Sequence, residues 1–179
     1  MSLPSLRRLR NTLSFRLTLW YFGLFTLSTA ILFGTAYVLL AVTLQRNDRE
    51  AIQFELHEYV SKYQRGGLDA VEKETVLQQG HSGRVMFFVR AADPENRTLL
   101  LSIPSKWNRF DLTQLEKSTA SLDKQWIHVP AKEGEEVLEI TSSRLPDGSL
   151  IQVGLNSEVR EDVLEHFGYL LAAIMLPVI

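Results

Sequence analysis

The chain has 179 residues, 45% hydrophobic and 22% charged, with a formal net charge of −2, which fits one ordinary domain plus something unusually apolar. It holds no cysteine, which excludes a disulfide framework and thiolate chemistry. All 21 acidic residues and 15 of the 19 basic ones fall between Arg46 and Glu165, so an acidic middle separates two apolar ends and repels nucleic-acid phosphates.

In chain order, residues 1–16 come first, with Arg7, Arg8, Arg10 and Arg16 and no acidic residue among them. Residues 17–44 carry no charged side chain. About 20 apolar residues cross a bilayer core as a helix, so this run predicts a transmembrane helix with residues to spare. Trp20 and Tyr21 stand near its start, where amphipathic rings prefer the interface. The basic flank places the N-terminus in the cytoplasm and the acidic domain outside. A cleavable signal peptide, with Ala41-Val42-Thr43 as a weak cleavage site, is the rival reading, but the apolar run is too long for one.

Residues 45–165 then form an extracytoplasmic domain. Arg46 to Tyr63 lacks Gly and Pro and predicts a helix. Ile52, Leu56, Tyr59 and Tyr63 make a seam that can pack on the domain's own sheet or on a second copy of the chain, with Phe54 and Val60 offering a further face. Arg65-Gly66-Gly67 ends that helix, and a second short one covers Leu68 to Gln79 up to Gly80. Strands are expected at Val85 to Ala91, Thr98 to Ile103, Gln125 to Val129, Val137 to Ser143 and Leu150 to Leu155. Turns at Asp93-Pro94-Glu95-Asn96, Glu133-Gly134 and Pro146-Asp147-Gly148 separate strands, and Asp111 with Gln114 opens a short helix. Helices followed by hairpin-linked strands predict an α+β domain with an antiparallel sheet of about five strands. From Ser157, a candidate N-cap, a last helix runs into the apolar residues 166–179. The thirteen residues from Phe167 on reach only about 20 Å as a helix, so this segment reads as the start of a second, truncated transmembrane span.

Catalytic chemistry finds little footing. His57, His81, His128 and His166 are scattered, with no Gly-x-Ser-x-Gly elbow, phosphate loop, dinucleotide fingerprint or His-x-x-x-His pair. No catalytic, cofactor-binding or metal-ligating residue is assigned, and no cofactor is expected. Glu133-Gly134-Glu135-Glu136 with Glu139 is the densest acidic patch; carboxylates there suit hard cations, but a charge run in a hairpin turn reads first as a solvated loop. Lys106-Trp107-Asn108-Arg109-Phe110 mixes cations and rings, either lining a ligand cleft, facing anionic lipid heads or anchoring a tucked-in loop.

The N-terminal stretch Ser14-Phe15-Arg16-Leu17-Thr18-Leu19-Trp20-Tyr21, followed by a long span, resembles the start of many bacterial two-component sensor histidine kinases. The segment Arg144-Leu145-Pro146-Asp147-Gly148-Ser149-Leu150-Ile151-Gln152-Val153-Gly154 is similar to the last strands before their membrane re-entry helix. The resemblance implies a PAS-like outer domain, a homodimer, and residence in the bacterial inner membrane. It also implies an extracytoplasmic stimulus or ligand, and a response regulator reached through a kinase core that would lie beyond Ile179. No histidine here has a His-Glu-x-x-x-Pro-like setting, so none is assigned the phosphoryl role. The same sensor type feeding a chemoreceptor or cyclic-dinucleotide cyclase, a membrane-tethered interaction protein, and an extracytoplasmic hydrolase are the competing readings.

Overall fold

A computed structural model describes residues 13–79, 86–104, 107, 110–117, 125–132 and 136–175. Good helix formers without proline carry a single helical element, α1, over Leu13–Gln79. Gly67 interrupts it with φ 65° and ψ −156°, a backbone region that only glycine enters without steric cost. Beyond that break the chain doubles back on itself. Lys62 pairs with Glu58 and, at 2.8 Å, with Glu74. Gln78 donates to Glu55 at 2.6 Å and accepts from the Tyr59 hydroxyl at 3.2 Å. The expected stop at Gly66-Gly67 and restart at Leu68 are thus both present, while Gly80 lies outside the described residues.

Five strands follow: β1 (Phe88–Ala92), β2 (Thr98–Ser102), β3 (Ile127–Pro130), β4 (Val137–Arg144) and β5 (Leu150–Asn156). They form one antiparallel sheet in the order β2-β1-β5-β4-β3. Two further helices complete the description, the five-residue α2 (Thr113–Lys117) after β2 and the 18-residue α3 (Glu158–Met175) after β5. The chain is therefore α+β with a long apolar N-terminal helix, as composition and periodicity predict. Strand limits shift by a few residues. β1 starts at Phe88, three residues later than expected, and β3 starts at Ile127 and ends on Pro130, whose missing N–H is tolerated on an edge strand.

The chain divides into two compact units, one holding residues 13–43 with 163–175 and the other Leu44–Asp162. In the second unit both sheet faces are covered. On one, Ile52, Leu56, Tyr59 and Val71 of α1 pack with Val89, Ile151 and Val153. The predicted seam therefore lies on the domain's own sheet, with Tyr63 partly buried at its end and Phe54 exposed. On the other face, Trp107, Phe110 and Leu115 pack with Phe88, Val129, Leu138 and Ile140. Because both faces are covered, β1 and β5 are buried along nearly their whole length rather than on alternate residues.

In the first unit the apolar side chains of α1 point outward; Trp20, Leu24, Phe25 and Leu32 are all exposed. An 18-residue window of α1 reaches a mean hydropathy of 2.0, and none of it is buried. Among the described residues this is the one helix long and apolar enough to cross a membrane by length and composition. The hydroxyls of Ser28, Thr35 and Thr43 donate to the carbonyls of Phe25, Ile31 and Leu39 within the same helix. Tyr37 of α1 stacks on Phe167 of α3, with ring centroids 6.4 Å apart.

Candidate functional site

The sheet buries two charges, one on each face. On the α1 face stands Glu139, in the middle of β4 and 3% exposed. Strand alternation sends Leu138 and Ile140 to the opposite core, and so forces Glu139 beneath α1. A buried carboxylate needs compensation. Its Oε2 accepts from Arg49 Nε of α1 at 3.2 Å, and its Oε1 from Arg160 Nη2 of α3 at 3.0 Å. Arg160 Nη1 also donates to Asp48 of α1 at 2.9 Å. Two guanidinium groups thus face two carboxylates, and the cluster is neutral. The Arg49 guanidinium lies 4.9 Å from the centre of the Trp126 ring, a cation–π contact that fixes its plane. Burial pushes the Asp48 carboxyl above its ordinary value; the charge and hydrogen bond of Arg160 oppose this, and nearby Glu139 adds to it.

Sheet geometry supports the clamp from below. Gly154 of β5 pairs with Ile140, and a Cβ there would meet the Glu139 carbonyl oxygen and Ile140 Cγ1 at 2.8 Å. Only a residue without a side chain allows that approach. Ser157, between β5 and α3, accepts from the Val137 N–H through its hydroxyl at 2.9 Å, and its own N–H donates to the Val137 carbonyl at 3.0 Å. The expected N-cap position is right, since the Glu161 N–H donates to the Ser157 carbonyl. Its hydroxyl does a different job, serving β4 and donating to Glu161, while Asn156 Oδ1 takes the Glu158 N–H at 3.3 Å.

On the α2 face, Arg90 of β1 is 2% exposed. Neutral groups hold it: Thr98 Oγ1 at 2.8 Å, Asn96 Oδ1 at 3.0 Å, Gln152 Oε1 at 2.7 Å and the Asn96 carbonyl at 2.8 Å. A carboxylate acts at one remove, because the Thr98 hydroxyl donates a hydrogen bond to Glu116 Oε1 at 2.7 Å. Burial lowers the Arg90 pKa, opposed by the charges of Glu116 and Asp93. Asn96, at φ 65°, closes the β1–β2 turn and donates to the carbonyls of Leu115 and Glu116 at the end of α2. Arg90 thus organises one hairpin and the short helix against it.

The acidic patch expected in a solvated hairpin needs correction at Glu139. This residue is a dry strand position with both oxygens engaged, not a loop carboxylate open to a cation. Glu136 accepts from Asn156 at 3.0 Å, and Glu133, Gly134 and Glu135 lie outside the described residues. His57 on α1, His128 on β3 and His166 on α3 are exposed and stand on three different elements; His81 lies outside the described residues. Among the described residues no three His, Asp or Glu side chains converge as a metal site would require. Trp107 and Phe110 are core anchors, which fits the tucked-in loop, while Lys106, Asn108 and Arg109 lie outside the described residues. The reading from sequence missed Arg49, Arg160 and Arg90, and placed Glu139 in a solvated loop. Arg49 left a signal, because it sits three residues before Ile52 and so continues the buried stripe of α1 with a charge.

No protein-family model, curated protein or solved structure matches the chain.

Proposed function

We propose that the chain is the sensing and transmembrane signalling module of a two-component sensor histidine kinase, anchored in a bacterial inner membrane with Leu44–Asp162 as a PAS-like extracytoplasmic domain. The observation that carries this reading is the clamp at Glu139. One buried carboxylate of the sheet holds α1 through Arg49 and α3 through Arg160, and Arg160 ties the two helices directly through Asp48. A stimulus that reshapes the sheet therefore acts on both helices at once. Signalling of this kind needs a packed interface with two arrangements, each favoured by a different ligand state.

Membrane anchoring draws support from the charge-free run at 17–44, its basic flank and its outward apolar side chains. The Ser28, Thr35 and Thr43 hydroxyls in that run bond to carbonyls of their own helix, the arrangement a hydrocarbon surrounding favours. The sheet order β2-β1-β5-β4-β3, with a helix laid on one face and a short helix on the other, supports the PAS-like reading. The kinase output and the homodimer rest on the resemblance of residues 14–21 and 144–154.

The test is to fuse residues 1–179 to an intact histidine kinase core and follow autophosphorylation in membranes. Arg160→Met is expected to shift basal output at least about fivefold, the lower range of measured coupling energies. Output equal to that of a core lacking the domain, under every stimulus and for the variant alike, overturns the proposal.

A further inference from the structure

Alongside the clamp, α1 and β4 enclose a cleft of about 260 Å³. Gln53, Leu56, His57 and Val60 of α1 form one wall, and Thr141 and Ser143 of β4 form the other. Thr141 is 4% exposed, yet its hydroxyl bonds to none of the described residues. The Ser143 hydroxyl and the Gln53 amide are likewise unbonded among the described residues, though both line the same space. His57 Nδ1 lies 2.7 Å from the Gln53 carbonyl, which leaves Nε2 for another partner. Buried polar groups in folded proteins are nearly all satisfied, so the buried Thr141 hydroxyl, unpaired beside a cleft that the half-buried Ser143 and the exposed Gln53 and His57 also line, marks a place where something else binds.

We propose that this cleft binds a small uncharged ligand with hydroxyl or carbonyl groups on one side and an apolar face on the other. Leu56 and Val60 offer the apolar wall, while Thr141, Ser143, Gln53 and His57 offer donors and acceptors. No carboxylate, ammonium or guanidinium lines the space, so a charged ligand would lose its hydration with no counter-charge in return. The volume lies near the lower limit for ligand pockets and suits a molecule of a single ring. Gln53 is one helical turn from Arg49, and Thr141 is two residues from Glu139 on the same face of β4. An occupant that spreads α1 from β4 thus alters the Arg49–Glu139 contact, a consequence that rests on the sensing role proposed above.

The full chain in lipid nanodiscs is titrated with benzyl alcohol, and with benzoate and benzylamine as charged molecules of similar shape. The readout is the amide chemical shifts of Thr141 and Ser143. Benzyl alcohol is expected to give saturable shifts, with both charged probes at least about tenfold weaker, a difference of roughly 1.4 kcal/mol. Ser143→Trp fills the cleft and abolishes the shifts. Thr141→Val keeps the side-chain shape, leaves the unfolding midpoint near that of the parent and weakens binding about fivefold, the worth of one hydrogen bond. Shifts that do not saturate, that are equal for all three probes, or that survive Ser143→Trp overturn the site. Saturable binding that leaves the kinase fusion's output unchanged supports the site and counts against the sensing role alone.

Discussion

Glu139 and Arg90 are buried in one sheet, on neighbouring parts of opposite faces, and the protein neutralises them in different ways. Glu139 recruits full charges from far along the chain, 90 residues away in Arg49 and 21 in Arg160. Arg90 is held by neutral acceptors, two of its partners lying within eight residues and the third, Gln152, 62 residues on in β5, and meets its carboxylate through the Thr98 hydroxyl. The contrast separates two uses of buried polarity. An ion cluster joining distant elements couples them, because moving one helix uncovers a charge on another. A hydrogen-bonded shell around a single cation stiffens what already lies side by side, here the β1–β2 hairpin and the paired strand β5. Buried ion pairs contribute little net stability but are costly to break on one side, so the clamp reads as a device for position rather than for strength.

Glu139→Leu gives the largest expected effect. It leaves Arg49 and Arg160 without their shared partner and should cost about 3–5 kcal/mol in unfolding free energy. Adding Arg160→Met should recover part of that loss, with a coupling of at least about 1 kcal/mol in a double-mutant cycle by urea denaturation. Strictly additive losses would break the distinction drawn above, since Glu139 would then be no more coupled than Arg90.

Arg90→Met comes next. It removes a costly buried cation but strands the acceptors on Asn96 and Gln152, for a net loss of about 1–3 kcal/mol by the same measurement. A loss larger than that of Glu139→Leu would reverse the ranking. Local stiffening also predicts that the β1–β2 turn and α2 loosen together in this variant, seen as faster amide exchange at Asn96 and Leu115.

Periodicity showed the elements and left the charges hidden, for a physical reason. Ile52, Leu56 and Tyr59 recur at helical spacing and Val137 to Ser143 at strand spacing, so the elements could be read from local pattern alone. Glu139 shares its strand face with Thr141 and Ser143, and a polar face beside a run of glutamates looks like the solvent side. It is dry only because α1 covers it, a fact set by tertiary packing. Arg90 was hidden in the same way, as one charge within an otherwise apolar strand. The break at Gly67 was legible because a paired glycine after a helical stretch has few other uses.

The smallest expected effect concerns acid, and it sharpens the difference between exposed and buried carboxylates. The Ser149 N–H is the main cause that holds the Asp147 carboxyl below its ordinary value; slight burial opposes it, and the Tyr63 hydroxyl assists. A lowered carboxyl pKa stabilises the fold above about pH 4 and loses that contribution as pH falls through the native value. Asp48 has the opposite sign. Its raised pKa is a penalty at neutral pH that protonation relieves as pH falls through the native value. Asp147→Asn should therefore lower the thermal midpoint slightly at pH 7 and match the parent once the pH has fallen below the native value, whereas Asp48→Asn should show a gap to the parent that changes in the other direction as pH falls.

Ser157 has a consequence for how the domain comes apart. Its amide and its hydroxyl grip the two backbone groups of Val137, so the first rung of β4 and the entry to α3 are closed by the same residue. Neither end can fray alone. Solvent reaches the start of the strand only when the first turn of the helix has let go, and the two would be lost and regained as one kinetic unit.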